Sequence, residues 1–280
     1  AWVSDVVNQL KIEASVRSEY YGNIVDLDIV NFDNDVCFTW NGTTSGVMIG
    51  NERAIPVDRK GLTLCDATSA AFAMKLPWDL LDATTFSWQK SLGGEGGHGV
   101  IVLSPRAIER LETYKPNWPL PKIFRLTKGT NLIDGIFTGE TINTPSMLCV
   151  EDYLFSLEWA ESVGGIDGLI ERSKNNAKII FDFVEDIPWL SYLAKDEKNR
   201  SHTSVCLSLN DPRIINLKSF IKALVVRLEI QCVAFDIGSH REAPPGLRVW
   251  CGPTVEQSDI KSLMPWIKWA FEKELIEQNK

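Results

Sequence analysis

Residues 83–105 read Ala83-Thr84-Thr85-Phe86-Ser87-Trp88-Gln89-Lys90-Ser91-Leu92-Gly93-Gly94-Glu95-Gly96-Gly97-His98-Gly99-Val100-Ile101-Val102-Leu103-Ser104-Pro105. An apolar run, Ala83 to Trp88, has the length and composition of a buried strand. A second, Gly99 to Leu103, follows a glycine-rich connection. Ser104-Pro105 then opens a helix, with Ser as the cap and Pro in the first turn, running to about Thr113. Two earlier runs have the same character. Val36 to Trp40 leads into the turn-forming Asn41-Gly42, and Leu62 to Cys65 ends at Asp66. Strands interleaved with helices define an α/β protein whose sheet is mostly parallel and flanked by helices.

Downstream the character changes. Residues 114–144 are irregular, with Pro116, Pro119, Pro121 and several glycines, and loops of this length are usually functional. Val150, Tyr153, Leu154, Leu157 and Ala160 follow helical spacing until Gly164-Gly165, after which Ile166, Leu169, Ile170, Ala177, Ile180, Phe181 and Val184 resume it. The remainder reads as a strand (204–209), a helix (217–230), two strands (233–237 and 247–250) and a helix (259–275). The expected division is a large domain over 1–164 and a smaller α+β domain over 165–280. Ala1 stands where an initiator Met is expected, and Trp2-Val3-Ser4-Asp5-Val6-Val7 reads as the middle of a fold. The expectation is that an amino-terminal part of the large domain is missing.

Composition narrows the function. The 280 residues carry 29 basic and 37 acidic side chains, a formal charge of −8, which argues against nucleic-acid binding. No apolar stretch approaches the ~20 residues of a membrane span. The six cysteines include no C-x-x-C pair, and the only histidines are His98, His202 and His240. The sequence therefore carries no signature of a metal site, and no metal is expected. Cysteines inside apolar runs, such as Val36-Cys37-Phe38, read as buried free thiols of a reducing compartment.

Lys90 directly after a strand, followed by glycines, admits several readings. A Walker phosphate loop would place its lysine at the loop's end, so that reading is weak. A lone lysine there would be a surface charge. Asp66, which ends the preceding strand, changes the balance. Read alone it is equally a cap for the next helix. An acid and a lysine at neighbouring strand ends, however, suit pyridoxal phosphate. The amine would form a Schiff base with the aldehyde, and the carboxylate would keep the pyridine nitrogen protonated.

The chain resembles the phosphoserine aminotransferases, pyridoxal-phosphate enzymes of the type I aminotransferase fold. The segments carrying the resemblance are Phe38 to Gly46, Cys65 to Ala70, Phe86 to Gly99, Leu120 to Arg125, Gly139 to Met147 and Pro244 to Arg248. The resemblance implies a transaminase of serine biosynthesis that interconverts 3-phosphohydroxypyruvate plus L-glutamate with O-phospho-L-serine plus 2-oxoglutarate. It makes Lys90 the Schiff-base lysine and proton carrier, and Asp66 the partner of the pyridinium. Thr43 and Gln89 would touch the cofactor, and Trp2 would stack on its ring. Asn143 and Thr144 would reach its phosphate from a neighbouring subunit, which implies a homodimer with shared sites. His240 and Arg241 would take the substrate phosphate, and Arg248 the α-carboxylate. A cytoplasmic location goes with this reading. The alternatives are a lyase or desulfurase of the same fold, or a non-catalytic relative that only binds ligand or dimerises. His98 and Glu95 are expected to be structural, Glu95 bracing the glycine loop.

Overall fold

The computed structural model describes residues 2–51 and 54–278. Its central sheet has four strands, β1 (Val36–Thr39), β4 (Thr63–Asp66), β5 (Ala83–Phe86) and β6 (Val100–Leu103), in the order β1-β4-β5-β6. The first three run parallel, and β6 pairs antiparallel to β5. The mixed character follows from the chain path, because the loop after β5 turns straight back into β6 without a crossover helix. Asn41-Gly42 is not itself the turn. It forms β2 (Asn41–Gly42), which pairs with β3 (Val47–Met48), and Thr43 to Gly46 make the bend.

Helix α2 (Pro105–Thr113) starts where the capping pattern places it, with the Ser104 hydroxyl accepting from Ala107 N at 3.2 Å. The irregular stretch after it holds a small hairpin, β7 (Thr127–Lys128) with β8 (Asn131–Leu132), and 3₁₀ turns. Helices α3 (Met147–Ser162) and α4 (Gly165–Glu185) are separated at Gly164, whose φ of 102° breaks the helical path.

The second sheet is antiparallel, in the order β11 (Leu247–Trp250), β10 (Ser204–Leu209), β9 (Leu190–Tyr192), and packs on α4, α5 (Leu217–Ile230) and α6 (Gln257–Glu277). Two features of this half differ from expectation. The stretch 233–237 is not a strand. Cys232 and Asp236 both take left-handed φ, 54° and 52°, which extended pairing does not allow. Only Gly238 bridges to Leu247. The third strand is instead β9, too short to show a period of its own.

One buried apolar cluster lies around the first sheet and another, built from residues 177–275, around the second. A third, of Trp88, Leu92, Ala160 and Leu169, links the glycine loop to α3 and α4. Four cysteines are buried as expected, but Cys37 is exposed. Its strand β1 is the edge of the sheet among the described residues, so an apolar run alone does not bury it.

Candidate active site

Parallel strands bring β4 and β5 to the same end of the sheet, where loops carry chemistry. Asp66 is the last residue of β4, in register with Thr39 on one side and Thr85 on the other. Its backbone is held by Trp40 N donating to Asp66 O at 2.9 Å. Its carboxylate Oδ1 accepts from Thr68 N (2.9 Å) and Thr68 Oγ1 (2.6 Å). Thr68 thus orients the carboxylate through one oxygen, and Oδ2 has no hydrogen-bond partner among the described residues. A group presenting an N–H, such as a pyridinium, suits that second oxygen.

Lys90 sits four residues beyond β5, where Gly93 N donates to Lys90 O (3.3 Å) and Gly94 N to Trp88 O (3.0 Å). Lys90 Nζ lies 5.9 Å from the centre of the Trp250 ring, at the end of β11. The second sheet therefore closes over the lysine carried by the first.

The bend from Thr43 to Gly46 is held at both ends. Ser204 Oγ on β10 donates to Thr43 O at 2.9 Å, and Ser201 N donates to Gly46 O at 2.9 Å. The buried Asn41 amide donates to Ser69 Oγ (2.7 Å) and Thr203 Oγ1 (2.9 Å). Gly46 has a φ of 68°, and a Cβ there would stand 2.9 Å from that of Cys206, so the bend presses directly on β10.

These elements line an open cleft of about 420 Å³. Four expected site residues line it: Thr43, Gln89, Lys90 and Arg248. Arg248 is half-buried on β11, with Nη2 donating to Asp236 Oδ2 at 2.7 Å. Asp236 also lines the cavity. The sequence reading missed it, because the left-handed backbone that turns it toward Arg248 is set by packing and leaves no mark in the run 233–237.

The other expected residues are not part of this lining. Asp66 lies at the sheet end just described. His240 and Arg241 lie in the turn beyond the cavity wall, where Ser239 N donates to Gly246 O and Ala243 N to His240 O. Arg241 is exposed and makes no ion pair among the described residues. Asn143 and Thr144 are exposed before α3. Trp2 is half-exposed in the short helix α1 (Trp2–Ser4) and stacks on no other described ring.

The buried thiols are not poised as nucleophiles. Burial, and then the Asp66 charge, pushes Cys65 up to about 12. Burial pushes Cys206 up to about 11 and Cys251 well above the ordinary thiol range.

This fold, with a lysine beyond a parallel strand and an arginine facing it from a second sheet, is that of the type I aminotransferases. A phosphoserine aminotransferase structure from Cytophaga hutchinsonii superposes with a TM-score of 0.77 over 95% of this chain and 72% of that one, at 22% identity. Phosphoserine aminotransferases of Methanosarcina barkeri and Methanosarcina mazei are 54% and 53% identical over 96% and 97% of this chain. The chain spans 72% of the length of each. No family model matches it. The chain belongs to the phosphoserine aminotransferase family.

Proposed function

We propose that the chain is a pyridoxal-phosphate transaminase. It interconverts 3-phosphohydroxypyruvate plus L-glutamate and O-phospho-L-serine plus 2-oxoglutarate. The observation that carries this is the convergence of Lys90, Gln89, Thr43 and Arg248 on one cavity, from two sheets, in a chain of this family. When bound, pyridoxal phosphate supplies the electron sink that makes the substrate α-proton removable.

Lys90 would hold the cofactor through its amine, and that amine, when free, would be the base that takes and returns the substrate α-proton. Asp66, oriented by Thr68, would keep the pyridine nitrogen protonated. Thr43 and Gln89 fix the cofactor's position between them. Arg248 exchanges Asp236 for the α-carboxylate of either substrate, using its planar fork. His240 and Arg241 take the substrate phosphate, for which an exposed cation without an ion pair is suited.

Asn143 and Thr144 are exposed just before α3, which itself exposes the apolar side chains of Met147, Leu148 and Phe155. This supports a homodimer in which a second copy receives them at its cofactor phosphate. Trp2 belongs to the cofactor ring in this reading. The division at Gly164, into a cofactor-binding large domain and a small domain, rests on the left-handed helix break there and on the two larger apolar clusters on either side of it. A cytoplasmic location rests on six unpaired cysteines. No helix of the described residues is long and apolar enough to cross a membrane.

The test is the visible absorbance with pyridoxal phosphate, together with turnover of phosphoserine and 2-oxoglutarate. Lys90→Ala should lose both the shifted absorbance band and turnover. A band unchanged in Lys90→Ala overturns the lysine's role. Turnover of alanine in place of phosphoserine would overturn the substrate.

A further inference from the structure

Beyond Lys90 the glycine loop crosses to the start of α3, and there three possible metal ligands meet. Glu95 and His98 come from the loop, and Cys149 is the third residue of α3. One ligand atom of each lies within 4.8 Å of the other two. Cys149 is buried, and its Sγ donates to Glu95 Oε2 at 2.7 Å. That contact raises the thiol above its ordinary range, chiefly through the Glu95 hydrogen bond.

The positions are held from several sides. Asp152, also on α3, accepts from Glu95 N at 3.0 Å. The His98 ring stacks on Trp88 at 5.7 Å, and Trp88 stacks in turn on Tyr153 at 4.4 Å. Gly94 leaves no room for a side chain, since a Cβ there would meet Trp88 at 2.5 Å and Asp152 at 2.6 Å. The charge is unbalanced as well, because neither Glu95 nor Asp152 has an ion-pair partner among the described residues.

We infer that Glu95, His98 and Cys149 form a binding site for a divalent cation of the zinc class, clamping the loop that follows Lys90 to α3. One sulfur, one imidazole nitrogen and one carboxylate oxygen are the mixed donor set that Zn²⁺ accepts. Tetrahedral bonds of about 2.0–2.3 Å put ligand atoms roughly 3.3–3.7 Å apart, and the three present lie within 4.8 Å of one another, so small side-chain movements bring them to that spacing. Binding replaces the thiol proton. Cys149–SH, Glu95 carboxylate, neutral His98 and M²⁺ give the neutral three-ligand site plus one proton released to solvent. Water takes the fourth position. The site holds a loop rather than touching substrate, and it stands whether or not the transaminase reading holds.

The test uses the whole chain, stripped by a chelator and then loaded with Zn²⁺ or Co²⁺. About one ion per chain should remain after dialysis. Co²⁺ should give a thiolate charge-transfer absorption, read as the difference from the Zn²⁺-loaded protein so that the cofactor cancels. The band should vanish in Cys149→Ser and persist in the Cys37→Ser/Cys232→Ser double variant, which removes the exposed thiols. Affinity should fall at least about tenfold in His98→Gln, whose exposed position makes misfolding a minor concern. A band that survives Cys149→Ser or disappears with Cys37 and Cys232, no retained ion, or unchanged affinity in His98→Gln each overturns the site.

Discussion

Replacing Asp82 by Ala should destabilise the sheet end opposite the candidate site. Asp82 immediately precedes β5, with its side chain 2% exposed. Its Oδ2 accepts from Arg59 Nη2 (2.9 Å), Thr63 N (2.9 Å), Thr63 Oγ1 (3.2 Å) and Arg106 Nη1 (3.1 Å), and Oδ1 accepts from Ser104 Oγ (2.8 Å). This one carboxylate therefore joins the start of β4, the start of β5 and the cap of α2. It fixes the relative height of the strands whose far ends carry Asp66 and Lys90. Arg59 is as buried as Asp82, so Asp82→Ala leaves its charge without a counterion. Breaking a buried pair in this way costs about 3–5 kcal/mol. With an unfolding entropy of roughly 2 cal/mol/K per residue, that is about 5–8 °C in Tm for a chain of this length.

Urea and thermal unfolding of the purified protein measure the effect. The double variant Arg59→Met/Asp82→Leu removes both charges and should recover most of the loss. The pH dependence has a defined sign. Burial raises the Asp82 carboxyl, but hydrogen bonds from Thr63, Ser104 and Arg59 outweigh it and hold it below 3.8. Its contribution is thus complete above the unfolded value and disappears as pH falls through the lower folded one. The gap between wild type and Asp82→Ala should be constant at neutral pH and close only below about pH 4. A loss under about 1 kcal/mol, or a double variant as damaged as the single one, would refute the network's role.

Gly46→Ala combines left-handed strain with a Cβ pressed on Cys206, and should cost about 1–3 kcal/mol in urea unfolding while loosening the Thr43 bend and raising the dissociation constant for pyridoxal phosphate. An unchanged cofactor affinity would mean that Thr43 does not need this bend. Burial, and then the charge of Lys174, pushes His202 down to about 4. The unfolded imidazole binds a proton between that value and 6.5, so stability falls as pH drops. About 2 kcal/mol should be lost from this group between pH 7 and pH 5, and His202→Asn should flatten that slope. Arg248→Lys keeps the charge but loses the fork, so KM for glutamate and phosphoserine should rise about tenfold to a hundredfold, with kcat changing less. Equal losses in kcat and kcat/KM would instead place Arg248 in the transition state.

Local pattern has limits in the second sheet. The run 233–237 is apolar, yet left-handed residues at 232 and 236 fold it over the cavity, and no periodicity marks a backbone dihedral set by long-range packing. Asp236 is invisible for the same reason. Its importance lies in meeting Arg248, 12 residues away in sequence, at a hydrogen-bond distance.

The sequence by itself determined the strand that ends at Asp66, the strand that begins at Ala83, the cap at Ser104, the helix break at Gly164 and the kinship carried by the segments around Lys90. These depend on neighbours within a few residues, where periodicity and capping act. Tertiary structure alone decided what meets across the fold. It joined Thr43 to Ser204, set Trp250 over Lys90, and brought Cys149 to Glu95, 54 residues away. No spacing rule reveals such a cluster, because its ligands are brought together by the packing of a loop on a helix.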